Sequence, residues 1–480
     1  MPADLFDPFT TAVDLAAAIR RRDLRAIEVA DAYLARIDRL DPQLNAFCHR
    51  ADDEVRAAAA AADEVVDRAD ADDRLPPFLG VPIPIKDLAN VAGWPTTLGS
   101  AATSREPVAA HDPVVQRFVD AGFVLLGKTT TSELGAVPFT ESEVMGITRN
   151  PWDPDRSPGG SSSGAGVAVA AGMAPVAHAE DGGGSIRVPA ACTGLVGLKP
   201  TRGRITNVTV EAEGFATAGV VTRDVVDAAA VLDVLAQHDP AAWWSPPTPA
   251  RSYAAALAEA APRGLRIGVM VDSPIEGLPV DPACRAAVDV AVATLEAAGH
   301  HVTEAQLPLP SADELVGAIT AVWNIAGAGA PIVDGARLEP INQALRAAAR
   351  ATDSWTYAER VHQAQVMTRP IVEAFVTGCD LLLTPTMACF PPPIGTLRTG
   401  EDADPMMPLV NSYPMAVFTA LFNATGQPAI SVPVHHDDAT GLPVGVQLAA
   451  APWREDLLLQ VARTLEEAHR WTARHPVLAA

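Results

Sequence analysis

Apolar and polar residues follow a helical period in several stretches of the chain. Residues 11–40 place apolar side chains three and four positions apart, as at Leu15 and Ile19, and this spacing predicts amphipathic helices. Residues 51–71 are rich in Ala, Asp and Glu and predict a further helix, and residues 114–121 predict a short one. Helices therefore open the chain.

Short apolar runs between turn-forming residues predict buried strands. Residues 79–85 and 123–126 form two such runs. Residues 445–448 form another near the end of the chain, before a helix that begins at Glu455.

A β-α-β order in the second half of the chain indicates the fold class. A strand at residues 265–270 precedes a helix at 286–298 and a strand at 301–302. This order is typical of α/β proteins with parallel strands. Residues 312–375 predict mostly helix, and residues 381–383 predict a further strand.

Loops and one unusual helix complete the pattern. Small apolar residues at 164–177 predict a helix packed closely inside the core. The polar, proline-bearing segment 148–158 predicts a loop before it, and residues 239–250 predict a surface connection. Residues 390–408 predict a long loop in a position to cover a pocket.

Charge and hydropathy exclude several classes of protein. Acidic residues outnumber basic residues by 58 to 35, and the net charge of −23 repels phosphate backbones and anionic membrane surfaces. The chain lacks a basic-then-apolar leader and has no strongly apolar run of about 18 residues. We therefore expect a cytoplasmic protein with neither a nucleic acid nor a membrane as partner.

Cysteine and lysine are used sparingly. Five cysteines, widely spaced and without a C-x-x-C motif, predict no disulfide framework and no zinc site, and we expect them to be reduced and mostly buried. Of the 35 basic residues only three are lysines, namely Lys86, Lys128 and Lys199. A desolvated lysine can lose its proton whereas an arginine cannot, so these positions are candidates for a functional amine.

Two familiar motifs occur in contexts that contradict them. Residues 122–129 match the P-loop pattern, but Phe-Val-Leu-Leu between the glycines predicts a strand where a P-loop needs a phosphate-binding loop. Residues 160–164 match the G-x-S-x-G elbow of α/β-hydrolases, but no hydrophobic strand leads into them. His178 follows an apolar stretch and is interpreted as a core or supporting histidine. We reject both motifs.

The strongest chemical signal is a pair of glycine- and serine-rich runs at residues 159–166 and 181–187. Successive glycines before Ser185 let backbone amides turn inward without Cβ clashes, as an oxyanion hole requires. The alternative interpretation is a flexible linker. The apolar segment that joins the runs and the apolar residues that follow them favour a place inside the core.

These runs, with other blocks along the chain, resemble the diagnostic blocks of the amidase signature family. The matching blocks lie, in the family's order, at residues 80–87, 148–152, 159–162, 183–187, 194–201 and 422–430. The resemblance implies an α/β fold, in which residues 1–480 form a single large α/β/α domain with a mixed central β-sheet covered by helices. Its parts are the N-terminal helices at 1–72, the signature core at 78–235 and a C-terminal part at 260–480 that completes the sheet and the substrate pocket.

The resemblance implies a Ser-Ser-Lys catalytic triad. Matched motif by motif, Ser185 is the nucleophile, Ser161 is the bridging serine with a cis peptide bond before it, and Lys86 is the base. Lys86 follows Ile83 and Ile85, and burial among such residues disfavours the charged ammonium, so the amine can accept the serine proton. Water resolves the acyl-enzyme, and no metal or cofactor is needed.

The same matching assigns the surroundings of Ser185. Amides at Gly182, Gly183 and Gly184 form the oxyanion hole, and Asp181 and Arg187 support the loop.

Two positions depart from the family pattern. Glu180 stands where members usually carry Thr, and Gly182 stands where they often do. We expect Glu180 either to pair with Arg187 or to turn towards solvent.

The expected activity is hydrolysis of C–N bonds in small linear amides, with aryl carbamates (urethanes) and esters as further candidates. The pattern looks most like bacterial stand-alone amidases, including those that act on nylon-oligomer dimers and urethanes, working as a monomer or homodimer. One alternative is the glutaminase component of a tRNA-dependent amidotransferase, which works in a complex. A catalytically silent member of the fold is the other.

Substrate identity does not follow from these motifs. The resemblance places the pocket at residues 134–142, 323–326 and 390–418, whose side chains Phe139, Met407, Tyr413 and Phe418 favour apolar or aromatic substrates. An equal alternative is that these four residues belong to the core.

Overall fold

The chain folds as helices around a large mixed β-sheet. A computed structural model describes residues 7–70, 72–206, 214–243, 245–325 and 327–479. The helices are α1 (Ala12–Arg20), α2 (Ala26–Leu44), α3 (Asp52–Arg68), α4 (Pro113–Asp120), α5 (Ser163–Ala170), α6 (Arg187–Thr193), α7 (Val225–Leu235), α8 (Tyr253–Leu257), α9 (Pro282–Ala297), α10 (Ala312–Asn324), α11 (Pro340–Ala351), α12 (Ser354–Thr377), α13 (Met407–Asn411), α14 (Tyr413–Ala416), α15 (Ala420–Thr425) and α16 (Glu455–His469). The strands are β1 (Phe47–His49), β2 (Pro82–Lys86), β3 (Val124–Thr129), β4 (Glu141–Ser142), β5 (Gly146–Ile147), β6 (Val176–Asp181), β7 (Val196–Lys199), β8 (Thr217–Thr222), β9 (Arg266–Val269), β10 (His301–Glu304), β11 (Leu381–Pro385), β12 (Ala429–His436) and β13 (Pro443–Ala450).

Eight strands form the main sheet in the order β10-β9-β11-β13-β12-β7-β8-β6. β10, β9 and β11 run parallel, and the other neighbouring pairs are antiparallel. A smaller sheet has the order β1-β3-β2. The end of β2 lies beside β6, where the N–H of Lys86 donates a hydrogen bond of 3.3 Å to His178 Nδ1. The two sheets therefore meet at Lys86.

Buried apolar side chains join the helices to the sheets. The largest cluster runs from Ala12 in α1 to Trp471 beyond α16, and in it α16 packs against α7 and α9. A separate cluster that contains Ala165 and Ile186 lies at α5 and α6, which pack against each other. The sheet is thus covered by helices on both sides, as expected for an α/β/α fold.

Several predicted elements are confirmed. α1 and α2 occupy the predicted helical stretch 11–40, and α3 lies within 51–71, of which residue 71 is outside the described residues. The predicted β-α-β unit is present as β9, α9 and β10, and its two strands pair in parallel. Residues 124–129 form β3, so the P-loop pattern lies on a strand as predicted.

The apolar run at 164–177 differs from its prediction of one helix. α5 ends at Ala170, and Val176 begins β6. Gly172 adopts a φ of +64°, and this left-handed conformation, with Pro175 after it, ends the helix. The run looks continuous in the sequence because α5 and the start of β6 are buried on all sides, which removes the polar positions that would mark a period.

Cysteine burial also differs from expectation. All five cysteines are free, but only Cys192 and Cys284 are buried, while Cys379 and Cys389 are partly exposed and Cys48 is exposed. Among the described residues, no helix is both long enough and apolar enough to cross a bilayer.

Candidate active site

Lys86 ends a fully buried strand, and its own side chain is inaccessible to solvent. Lys86 Nζ donates a hydrogen bond of 2.8 Å to Ser161 Oγ and lies 3.4 Å from the backbone oxygen of Glu180. Alternation along β2 leaves no solvent-facing side, because a helix or sheet covers each face of the strand. The fold therefore holds the amine at a fixed place beside a hydroxyl.

Ser161 lies in the loop that leads into α5. The peptide bond between Gly160 and Ser161 is cis, the conformation that the family resemblance implies here. Gly135 approaches from the opposite side, where a Cβ would lie 3.4 Å from Ser161 Oγ. Ser161 is 2% exposed, so its hydroxyl is enclosed between Lys86 and the loop around Gly135.

The glycine loop connects the end of β6 to α6. Gly184 has a φ of +137°, and a Cβ at this position would collide with Thr419 Oγ1, so only glycine fits. Thr419 Oγ1 also donates a hydrogen bond of 2.7 Å to the backbone oxygen of Gly183. Within the described residues, the N–H groups of Gly183 and Gly184 have no acceptor. They are therefore available to a substrate oxygen next to Ser185, which is 8% exposed.

A buried ion pair fixes both ends of this loop. Arg187 Nε and Nη2 donate to Asp181 Oδ2 and Oδ1 at 2.9 and 2.8 Å, and neither side chain is exposed. Asp181 Oδ2 also accepts the N–H of Ile186 at 3.2 Å. Arg187 donates further to Gln447 Oε1 and Asn423 Oδ1, each at 2.6 Å. Every strong polar group of the pair is thus satisfied.

Electrostatics keep this pair ionised. Burial raises the pKa of the Asp181 carboxyl, but the charge and hydrogen bonds of Arg187 outweigh burial and bring that pKa down to about 2. Asp181 therefore acts on the loop as a carboxylate that accepts hydrogen bonds.

His178 supports Lys86 from the neighbouring strand. Burial, together with the charges of Lys86 and Lys128, lowers the pKa of His178 to about 3. The ring is therefore neutral, and its Nδ1 accepts the N–H of Lys86. This agrees with the interpretation of His178 as a supporting residue.

Glu180 takes neither of the two expected positions. Arg187 hydrogen-bonds to Asp181, Asn423 and Gln447. The Glu180 side chain is only 13% exposed, with Oε1 3.9 Å from His178 Nε2, and it lines the same cavity as Lys86. A carboxylate thus lies at the active site where the family usually has a hydroxyl.

The other two lysines lie elsewhere. Lys128 Nζ forms a buried ion pair of 2.6 Å with Asp87 and donates to Thr96 Oγ1 at 2.8 Å. Lys199 Nζ donates to the backbone oxygen of Pro200 at 2.8 Å, and burial lowers the pKa of this amine to about 7. Neither lysine lines the cavity that contains Lys86.

Three adjoining cavities surround the loop. The catalytic cavity is lined by side chains that include Lys86, Ser161, Glu180, Ser185, Trp323, Asn342 and Arg346. The apolar cavity is lined by Phe215, Ile275, Leu315, Ile319, Trp323, Tyr413, Val417 and Leu421, with Gly182 and Gly183. The third cavity is lined by Ser185, Val188, Trp323, Leu409 and Tyr413, among others.

The predicted pocket residues divide into two groups. Tyr413 lines the apolar and third cavities. Phe418 is fully buried in the main core, and Phe139 is 3% exposed in a smaller buried cluster. Met407 begins α13 and is partly buried next to Gly400. Of the predicted segment 323–326, Trp323 and Asn324 line the catalytic cavity and Ala326 lies outside the described residues.

The sequence did not indicate the contribution of α11. Asn342, Leu345 and Arg346 on this helix line the catalytic cavity. Asn342 Nδ2 donates to Glu133 Oε2 at 2.8 Å, and Glu133 is itself buried. The available signal was a polar Asn at helical spacing from buried Leu345, which marks a polar residue on a buried face.

Comparisons with known proteins agree with this geometry. The family model named Amidase matches residues 28–459. The 6-aminohexanoate-cyclic-dimer hydrolase of Paenarthrobacter ureafaciens is 36% identical over 501 residues, which cover 99% of this chain and 97% of that protein. The first-lettered (A) component of the glutamyl-tRNA(Gln) amidotransferase of Chloroflexus aggregans is 36% identical over 496 residues, covering 96% of this chain and 97% of that component.

A solved structure gives the same result for the fold. The structure of 6-aminohexanoate cyclic dimer hydrolase complexed with substrate matches with a TM-score of 0.90 and 35% identity, covering 99% of this chain and 100% of that chain. The chain therefore belongs to the amidase signature family, whose members are serine hydrolases that act on the C–N bonds of amides.

Proposed function

We propose that Ser185 is the nucleophile, Ser161 the proton carrier and Lys86 the base in the hydrolysis of an apolar amide. The observation that carries this proposal is the 2.8 Å hydrogen bond from buried Lys86 Nζ to Ser161 Oγ, in a cavity that Ser185 also lines. A neutral Lys86 accepts the Ser161 proton while Ser161 takes the proton of Ser185.

The bond changes then balance in two stages. Ser185 Oγ bonds to the carbonyl carbon, and the oxyanion that forms is stabilised by the N–H groups of Gly183 and Gly184. The C–N bond breaks as the proton held by Lys86 returns through Ser161 to the leaving nitrogen. In the second stage water loses a proton along the same route, attacks the acyl carbon and releases the acid and free Ser185.

The apolar cavity supports an apolar substrate. Its side chains are hydrocarbon or aromatic apart from the hydroxyl groups of Thr320 and Tyr413, and it borders the glycine loop at Gly182 and Gly183. An alkyl or aryl group next to the scissile bond would gain free energy by leaving water there. Aryl carbamates and esters can form the corresponding carbonyl adduct with Ser185, and we propose them as secondary substrates.

We further propose that the chain acts without partner subunits, as a monomer or homodimer in the cytoplasm. The free state of all five cysteines supports a reducing compartment. The hydrolase and the amidotransferase component have the same identity to this chain, 36%, so activity of the chain alone decides between the two modes of action.

The decisive experiment labels and assays the purified chain. A fluorophosphonate should attach to Ser185, and aryl amides should be hydrolysed without added subunits. Ser185→Ala should lose labelling and at least about 10⁴-fold in kcat, because it lacks the attacking oxygen. Ser354→Ala, which changes an exposed serine at the start of α12, should behave as the wild type.

Other outcomes would contradict the proposal. Labelling at a different serine, or Ser185→Ala with more than about a tenth of the wild-type rate, would show that the nucleophile is misassigned. Hydrolysis of glutamine alone, and only after partner subunits have been added, would favour the amidotransferase role.

A further inference from the structure

Trp323 is the side chain shared by all three cavities around the glycine loop. It lies near the end of α10, and its indole Nε1 donates a hydrogen bond of 3.3 Å to the backbone oxygen of Ala136. This bond holds the ring across the cavity, between α10 and the segment around Ala136. Trp323 is therefore a wall common to the three spaces.

The indole lies directly on the glycine loop. A Cβ at Gly182 would be 3.3 Å from Trp323 Cζ3 and 3.5 Å from Cη2, and a Cβ at Gly183 would be 3.7 Å from both atoms. The first distance is shorter than a comfortable carbon–carbon contact. Any side chain longer than a methyl group at position 182 would need the volume that the indole occupies.

The backbone does not itself require glycine at position 182. Unlike Gly184, Gly182 is not in the left-handed region, so other residues can adopt its φ. What excludes a side chain there is the Trp323 ring. This gives a physical reason for Gly182 at a position where the family often has Thr.

The ring also stands between the nucleophile and the apolar cavity. Ser185 and Lys86 line the catalytic cavity, and neither of them lines the apolar cavity. Trp323 and Gly182 line both spaces. A group attached to the carbonyl at Ser185 can therefore reach the apolar cavity only past the indole.

We propose that Trp323 and Gly182 are a matched pair that determines specificity, admitting a slender, unbranched alkyl group from Ser185 to the apolar cavity and excluding a ring or a branch next to the carbonyl. This inference rests on the proposed role of Ser185. It adds the substrate class: amides of straight-chain aliphatic acids.

The first test changes the wall and compares two acyl groups. Wild-type enzyme should hydrolyse the p-nitroanilide of hexanoic acid better than that of benzoic acid. Trp323→Ala should move the ratio of the two kcat/KM values towards the benzoyl substrate by about tenfold or more, because the removed ring opens the space that a bulky acyl group needs. Trp355→Ala, at a tryptophan that is 81% exposed, should leave the ratio unchanged. Trp323→Leu provides a second variant if Trp323→Ala fails to fold.

The second test measures the coupling of the pair. Gly182→Thr should lower kcat/KM for the hexanoyl substrate by about tenfold or more in the wild-type background, because the new side chain displaces the indole. In the Trp323→Ala background the same change should cost no more than about twofold.

The two proposals can fail separately. If wild-type enzyme and Trp323→Ala both label at Ser185 but share one acyl preference, the matched pair is wrong while the catalytic assignment stands. Equal losses from Gly182→Thr in both backgrounds would also overturn the pair. If the wild type does not label at Ser185, the catalytic proposal is wrong and this inference falls with it.

Discussion

The catalytic cavity has two walls of different construction. One wall is built from strand ends and glycine loops, and its side chains Lys86, Ser161 and Arg187 are at most 2% exposed. The other wall is built from α10 and α11, where Trp323 and Arg346 are only partly buried. We call them the strand wall and the helical wall.

The difference between the walls matches a difference in task. Proton transfer requires donors and acceptors at fixed distances, and the strand wall provides them through buried hydrogen bonds such as Arg187 to Asp181. Substrate selection requires shape, and the helical wall provides it with larger side chains that pack less tightly. We therefore expect changes in the strand wall to stop chemistry or unfold the protein, and changes in the helical wall to alter substrate preference.

The largest expected effect in this comparison comes from Lys86→Arg. The change keeps the positive charge, but a guanidinium cannot accept a proton from Ser161 at any working pH, so kcat should fall by at least about 10³-fold. The fall should be measured per folded molecule, with the melting temperature recorded for each variant. Activity should not return at high pH.

Lys128→Arg is the matched control. Lys128 is as deeply buried as Lys86, so both changes force a larger group into a filled space. The control should lower stability and leave the folded fraction active. Equal losses of kcat in the two variants would show that crowding, rather than proton transfer, explains the effect at Lys86.

The next largest effect should be Asp181→Asn, measured as stability. It leaves the buried guanidinium of Arg187 without its countercharge, which costs about 3–5 kcal/mol of unfolding free energy at pH 7. Since the folded pKa of Asp181, about 2, lies below the ordinary value of 3.8, its stabilisation is full above the ordinary value and is lost as pH falls towards 2. Urea unfolding at pH 7 and pH 3 measures both effects.

Asp23→Asn tests the same chemistry at the surface. Asp23 pairs with Arg21 at 2.7 Å, but both side chains are more than half exposed. This change should cost no more than about 1 kcal/mol. If the two aspartate variants lose similar stability, burial does not distinguish the strand wall in the way proposed.

The two walls also differ in how far the sequence predicted them. The strand wall follows from short motifs, because Gly184 needs its φ and a Cβ there meets Thr419, so the residue type reports the local geometry. The positions of Lys86 and Ser161 followed from matching the same motifs to the family. The α/β class followed from the strand and helix order, which is also local.

The helical wall could not be predicted in this way. Asn342 reaches the cavity because it bonds to Glu133, which is 209 positions away in the chain. Phe418 illustrates the converse, since an aromatic residue in a predicted pocket segment lies fully buried in the main core. Which buried aromatic side faces a cavity depends on tertiary packing, and the hydrophobic pattern carries no information on that choice.

A smaller effect should come from Lys199→Met, behind the strand wall. Burial lowers the folded pKa of Lys199 to about 7, below the ordinary value of 10.5. Between these values the unfolded chain binds a proton that the folded chain does not, so wild-type stability gains from Lys199 as pH rises from 7 to 10. Lys199→Met should lack this gain.

The measurement is the difference in unfolding free energy between wild type and Lys199→Met at pH 6 and pH 9. Other groups that titrate in this range, such as Glu339 and Glu466 with pKa values of about 7, are present in both proteins and cancel in the difference. A difference that stays constant with pH would show that Lys199 keeps its proton in the folded protein.

The smallest expected effect is that of Arg346→Leu in the helical wall. Arg346 Nη1 donates a hydrogen bond of 3.0 Å to the backbone oxygen of Gly327, and the partly exposed guanidinium lines the catalytic cavity opposite the strand wall. Because this group takes no part in the proton route from Ser185 through Ser161 to Lys86, kcat for a neutral aryl amide should stay within about threefold of wild type. The KM of an amide whose acyl chain ends in a carboxylate should rise by no more than about fivefold, the size of one exposed ion pair. Steady-state kinetics on the two substrates separate these effects. A loss of kcat as large as that of Lys86→Arg would place Arg346 in the chemistry and would end the division of tasks between the two walls.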